Sequence, residues 1–198
     1  MLYLKSTPAQ GGLKEGATGT MFEIETFVSD MRAIAAGAHG PKTLRAYFDD
    51  LMQNPDAVAA AFPPELTGDQ ILFEDETVSV WRTSFEPGMT VPAHDHQMSA
   101  VLCVYQGQER NDFYEADPKG GLRRSGQVHL GPGDVLSIGP SAIHEVTCTS
   151  DEPALGLHVY LGQLTTVERT LFDVESGVAM RFDDANYEKL ISADRTPD

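Results

Sequence analysis

From Ile71 onward the chain is a succession of short β-rich runs, with Gly, Pro, Asp and Asn between them and no helical segment separating one run from the next. The runs are ILFED, VSVWRTSF, SAVLCVYQG, ERNDFYEA, GQVHLG, DVLSIG, HEVTCTS, ALGLHVYLG and VAMRF, and the breaks include KGG, GPGD and SDEP. Parallel strands need long crossovers, so strands at this spacing pair antiparallel and close into a sandwich or barrel. Mainly β architecture is therefore the first expectation, and no repeat of fixed period accompanies it.

The N-terminal third has a different texture. Residues 5–20 are rich in Gly, Thr, Ser and Pro and read as a loose leader over 1–20, with Met21 a possible natural start. From Phe22 the apolar spacing becomes helical: Phe22, Ile24, Phe27, Met31 and Ile34 fall mainly on one face. Gly37 and Gly40 interrupt that helix. Pro41 opens a second, with Leu44, Tyr47, Phe48 and Leu51 inward. A third begins with Asn54 as cap and Pro55 at the first helical position. The expected organisation is a helical segment over 21–66 packed on a barrel domain over 67–198 that ends in a C-terminal tail. The strand AVLCVY is apolar on both sides, so something must cover its outer face; the helices or a second protomer would serve, and monomer and homodimer both stay open.

Charge excludes some partners. The 198 residues carry 14 Lys and Arg against 30 Asp and Glu, a formal charge of −16. Nucleic acids and anionic membrane surfaces are bound by neutralising phosphate with basic residues, so neither is an expected partner. No run approaches the roughly 18 apolar residues of a membrane helix. The opening residues do not read as a secretory signal, and two cysteines, Cys103 and Cys148, form no framework or CxxC pair, so a cytoplasmic location is expected.

Chemistry concentrates in PGMTVPAHDHQMSAVLCVYQG. Residues i and i+2 of a strand share a face, so His94 and His96 project to one interior. Imidazole suits iron, zinc, copper and nickel rather than calcium or magnesium. A later segment, PGDVLSIGPSAIHEV, carries His144 from a PGD turn through a strand. His39, in a Gly-rich connection, and His129, before a turn, read as solvated.

These two segments, in this order and with a strand-rich spacer, resemble the two motifs of the cupin superfamily, in which the histidine pair and the distant histidine share one metal. The resemblance implies a cupin double-stranded β-helix, a jelly-roll barrel, with His94, His96 and His144 as ligands. The glutamate of the general pattern falls at Ala100 or Val101, which cannot ligate, and Glu109 lies beyond the closing Gly107. A neutral three-histidine set leaves about three open positions on an octahedral ion, unlike a closed structural zinc site.

Loss of that glutamate, together with HEVTCTSDEPALGLHVYLGQL and the hairpin-like TLFDVESGVAMRF, is similar to the thiol dioxygenases of the cysteine dioxygenase type, over roughly residues 70–190. That likeness implies Fe(II), with zinc or nickel able to occupy a purified sample, and a small thiol oxidised by O₂ to a sulfinic acid. It also implies His158 and Tyr160 as a pair beside the metal. Three departures stand out. The serine that often precedes the pair is Gly156; the cysteine that in some members cross-links to the tyrosine is Ala100, with Cys103 facing away; and the carboxylate-binding arginine is missing from GDQILFED. Arg82 or Arg110 are the candidates to replace it, Arg82 by turning inward from its own strand. Without such a replacement a thiol lacking a free carboxylate, or a larger neutral thiol, is the expected substrate. Other readings of the same metal set are dicarbonyl cleavage, an isomerisation, or non-catalytic binding of a small molecule.

Overall fold

A computed structural model describes residues 21–193, and the expected leader at 1–20 lies outside the described residues. Three helices come first: α1 (Ile24–Ala35), α2 (Gly40–Leu51) and α3 (Pro55–Ala59). Asn54 caps α3 by accepting a hydrogen bond from the Ala57 amide at 3.3 Å, so the Asn-Pro start works as the sequence suggests. No helix among the described residues is long and apolar enough to cross a membrane.

Eleven strands follow among the described residues. They are β1 (Gln70–Glu74), β2 (Ser79–Phe85), β3 (Thr90–His94), β4 (Ala100–Gln106), β5 (Glu109–Ala116), β6 (Leu122–Leu130), β7 (Val135–Ile138), β8 (Ile143–Cys148), β9 (Ala154–Tyr160), β10 (Thr170–Phe172) and β11 (Ala179–Arg181). They form two antiparallel sheets, β1-β2-β9-β4-β7 and β11-β10-β3-β8-β5-β6. Neighbours far apart in sequence, such as β2 with β9 and β3 with β8, make this a jelly-roll barrel rather than a meander.

The first sheet is buried on both faces, which is why its central strands lack the polar alternation of a solvated antiparallel sheet. On β4, Ala100, Leu102 and Val104 face the barrel, while Val101, Cys103 and Tyr105 face the helices. Leu157 and Val159 of β9 join that outer layer under Phe27, Met31, Leu44 and Phe48. The chain's own helices therefore cover the outer face of AVLCVY. Gly40 allows close approach there: an added Cβ would lie 3.2 Å from a Leu161 methyl.

A fourth helix, α4 (Asp184–Ala193), was not anticipated. It starts where Asp183 accepts the Asn186 amide at 3.0 Å, a cap hidden in an otherwise weakly patterned tail. Its Tyr187 stacks on Phe182, centroids 6.1 Å apart, and both line the mouth of the barrel.

Parity decides the fate of the two candidate arginines. Arg82 does not turn inward; it is 2% exposed and lies on the helix side of β2. Its Nε donates to the Tyr105 hydroxyl (3.0 Å), and its terminal nitrogens donate to the carbonyls of Gly68 and Leu66 (3.1 Å each). The guanidinium carbon sits 5.6 Å from the Phe62 ring centre. Arg110 is also directed away from the barrel interior, donating to Asp112 at 2.6 Å. Arg82 is thus a clamp for the 66–68 loop, and Arg82→Met should lower unfolding free energy by about 2–3 kcal/mol by stranding those acceptors. Denaturant titration checks this; metal content of the folded fraction should be unchanged.

Candidate metal centre

His94 ends β3 and His144 stands directly opposite it on β8. The β3–β8 register shifts between Val91 and His94, around Pro92, whose ring nitrogen cannot donate to a ladder. The Pro92 carbonyl instead accepts from His94 Nδ1 at 2.8 Å. A carbonyl only accepts, so the His94 proton is on Nδ1 and Nε2 presents its lone pair.

His96 lies just beyond β3, in a loop braced by its neighbours. Asp95 Oδ1 accepts the Thr170 amide (3.0 Å), the Asp95 amide donates to the Thr170 carbonyl, and Gln97 donates to Asp95 Oδ2 at 2.7 Å. Gln97 has a φ of 57°, a left-handed turn that sends the chain toward β4. Pinned in this way, His96 still projects with His94, as the i, i+2 spacing predicts.

The three Nε2 atoms converge. His94 and His144 Nε2 each lie 3.1 Å from His96 Nε2, and the three residues are buried, with ligand atoms within 4.8 Å of one another. His144 Nδ1 is 2.9 Å from the Asn111 side-chain oxygen, which accepts its proton. Two of the three converging nitrogens are therefore lone pairs, and one proton on His96 cannot satisfy both; His96 Nδ1 is itself buried without a partner. A cation among them resolves the conflict. Metal–imidazole bonds of about 2.1 Å at right angles separate neighbouring nitrogens by about 3.0 Å, against about 3.4 Å for tetrahedral angles. The two spacings to His96 are 3.1 Å and the three ligand atoms all lie within 4.8 Å of one another, so a single ion can reach all three.

Burial also keeps the ligands neutral. It holds His94 down to about 4, and Arg169 reinforces this against the opposing Pro92 hydrogen bond. His96 and His144 are likewise pushed well below the usual imidazole range, by burial first and by each other's company second. Neutral imidazole is the ligating form, so no proton need leave these rings at neutral pH before a cation enters.

The site opens into a cavity of about 400 Å³. One wall is β9, where His158 and Tyr160 share the interior face, and His158 Nδ1 hydrogen-bonds the Tyr160 hydroxyl at 3.1 Å. The Tyr160 ring stands edge-on to His96, centroids 5.0 Å apart. Burial lowers His158 to about 3 and raises Tyr160 above its ordinary value, so at neutral pH the pair is an uncharged imidazole and a protonated phenol. Phe85, Met89, Val91 and Val146 make an apolar side.

Gly156 now has a physical reason: an added Cβ would lie 2.5 Å from the Cys103 carbonyl oxygen. The same point is 3.1 Å from Thr83 Oγ1 and 3.4 Å from His158 Nε2. A neighbouring strand thus brings a hydroxyl to this corner. Thr83 Oγ1, His158 Nε2 and Trp81 Nε1 are all buried without partners, and all three residues line the cavity.

The arginine in the cavity is Arg169, which the sequence reading missed because it follows the last strand of the first sheet rather than preceding the histidine motif. Its guanidinium lies 4.2 Å over the Phe182 ring, and Asp69 and Asp184 also line the cavity. Ala100 pairs with Tyr160 across the β4–β9 ladder, and Cys103 faces the helices, so no thiol stands beside the phenol. His39 and His129 are exposed, away from the centre.

The ligand assignment has a direct check. His94→Ala, His96→Ala and His144→Ala should each lose most bound metal at neutral pH, whereas His39→Ala and His129→Ala should keep it. Elemental analysis of the five purified variants decides, and full metal in His144→Ala would sink the assignment.

No protein-family model matches the sequence. Among solved structures, the chain is similar to a cupin superfamily protein from Desulfitobacterium hafniense (18% identity, TM-score 0.42, covering 54% of this chain and 88% of that one). It is also similar to a cupin-like protein from Thermotoga maritima (22% identity, TM-score 0.40, 62% and 85% covered). A protein from Bacillus halodurans matches at 13% identity and TM-score 0.45, with 66% and 83% covered. These likenesses are of fold alone.

Proposed function

We propose that the chain is an Fe(II)-dependent oxygenase that oxidises a small thiol to a sulfinic acid, both atoms of O₂ passing to the sulfur. The observation that carries this reading is the pairing of three neutral imidazoles with the His158–Tyr160 pair on the facing wall. Three neutral donors leave the charge of a divalent ion uncompensated, which favours an anionic ligand such as a thiolate. When bound, the iron would supply the site where thiolate and O₂ meet and the redox chemistry between them.

The rest is done by the chain itself. Tyr160 remains protonated at neutral pH and holds its hydroxyl at the centre as a hydrogen-bond donor, oriented by His158. The apolar side of Phe85, Val91 and Val146 limits water around the reacting sulfur. The partnerless Trp81 Nε1 and Thr83 Oγ1 await a polar group of the substrate, because buried donors are seldom left unmade.

Arg169 changes the expected substrate. A buried carboxylate needs a cationic partner, and this guanidinium supplies one on the cavity wall. Arg169 is partly desolvated there, with Asp95 and Glu74 in electrostatic reach but no salt bridge within 4.0 Å among the described residues, so a ligand carboxylate would be its direct partner. We therefore place a carboxylated thiol ahead of a neutral one, and Asp69 and Asp184 offer counter-charges for an amine.

Two measurements test the reading. Tyr160→Phe should retain the metal while slowing turnover at least about tenfold, roughly 1.4 kcal/mol of barrier. Oxygen uptake with iron and a panel of cysteine, 3-mercaptopropionate and cysteamine should favour a carboxylated member. Arg169→Leu should then raise KM for that member at least about tenfold, the value of one charge-assisted contact, and leave cysteamine unchanged. Oxygen uptake with none of these thiols would count against the proposal.

A further inference from the structure

Glu109 is the buried charge that the site so far leaves unused. It is 2% exposed and faces the barrel interior from the first residue of β5. Among the described residues it takes part in no salt bridge, and burial lifts its carboxyl to about 7. A lone buried carboxylate costs stability, and an apolar side chain of similar volume would fill the space at lower cost.

Its one visible partner explains its place. Asn111 Nδ2 donates to Glu109 Oε1 at 2.9 Å, and Asn111 Oδ1 accepts from His144 Nδ1 at 2.9 Å. Asn111 has no exposed surface. Glu109, Asn111 and Phe113 share one face of β5 by strand parity, and Phe113 stacks on the His144 ring with centroids 5.9 Å apart. The chain carboxyl–amide–imidazole thus runs along one strand face into the metal centre.

The directions in this chain are fixed at one end only. An amide can present either its nitrogen or its oxygen to a neighbour, and an imidazole can carry its proton on either nitrogen. An ionised carboxylate accepts only, whereas a protonated one can also donate, so it is the ionised form of Glu109 that fixes this end. Glu109 therefore draws Nδ2 of Asn111 to itself, which leaves Oδ1 facing His144. That oxygen in turn holds the proton on Nδ1, so Nε2 enters the centre bare. With the amide reversed, Nδ2 would donate to Nδ1, the proton would move to Nε2, and it would point at the other two ligand nitrogens.

We propose that Glu109 and Asn111 are positioning residues that set the tautomer of His144. The carboxylate absent from the ligand set at Ala100 and Val101 is thus replaced by one acting through an amide from outside it. This inference rests on the three-histidine centre and on no assumption about the substrate.

A charge swap tests it in the full-length chain, with Zn(II) as the only added ligand. In Glu109→Gln the new amide can face Asn111 either way, so the orientation is no longer enforced. The Nε2–H form of His144 should appear in ¹⁵N NMR of the imidazole before Zn(II) is added, and Zn(II) affinity should fall at least about tenfold, the usual scale for such outer partners. In Glu109→Gln/Asn111→Asp the carboxylate sits next to His144 and the amide behind it. Aspartate only accepts, so the single Nδ1–H form and near-native affinity should return. Asn111→Leu removes the acceptor and makes the same comparison if Glu109→Gln folds poorly.

A native tautomer with native affinity in Glu109→Gln overturns the proposal. So does a double variant that binds no better than Glu109→Gln. A wild-type chain that takes up no Zn(II) would overturn the metal centre and the relay with it, whereas failure of the thiol panel alone would leave both standing.

Discussion

His94 and His144 face each other across the β3–β8 ladder, and that register is the constraint on which the site depends. A slip of one residue would turn either ring out of the barrel, because side-chain direction alternates strictly along a strand. The irregularity at Pro92 re-aims the end of β3, and the Asp95–Thr170 contacts hold the loop after it. His96 can therefore meet the other two without lying on the ladder itself. Two ligands come from sheet geometry and one from a braced turn. This arrangement brings two nitrogens to 3.1 Å from that of His96, which imidazoles would not choose in the absence of a cation.

Parity explains which parts of the fold and site could be read from sequence. The helices at 24–59, the strand-rich body and the three histidines follow from spacing and motif order, because each is a local pattern. His158 and Tyr160 are suggested by the likeness to the thiol dioxygenases, and their i, i+2 spacing says only that they share a strand face. Arg82 shows the limit: VSVWRTSF is apolar or small on both sides, so the sequence does not reveal which parity faces the barrel. The structure places Trp81 and Thr83 inside and Arg82 under the helices. Arg169, Thr83 and Asn111 reach the site through pairings between distant segments, and a single sequence does not state those pairings. The helix at 184–193 was missed because its start rests on one aspartate in a segment with little apolar periodicity.

Sheet burial on both faces also ties the helices to the chemistry. The face of β9 opposite His158 and Tyr160 packs Leu157 and Val159 against α1 and α2 through a shared apolar cluster. The wall that carries the phenol is thereby stiffened from behind, which matters because a hydroxyl acting at a centre must be held to within a fraction of an ångström. The tight approach of β9 to β4 leaves no room for a side chain at Gly156, and the hydroxyl of that corner comes from Thr83 on the adjacent strand.

Two opposing electrostatic effects meet in the cavity, and their sizes decide how it works. A formal charge of −16 would by itself raise the histidines and repel anions. Surface charges, however, are screened over about 8–10 Å in ordinary salt, whereas burial acts at the site itself. Burial prevails: His94 is held down to about 4 and His158 to about 3. The ligand set is therefore neutral inside an acidic protein, and the surface charge serves to draw cations toward it. An anionic substrate meets the opposite problem on approach, and only a local positive charge can reverse the sign. An ion held by the three histidines would share one cavity with Arg169, so the proposed ligand with a thiolate at one end and a carboxylate at the other would be matched at both. Glu109 sits behind His144, two hydrogen bonds from its ring, where it can orient the ligand without cancelling that positive field at the open face.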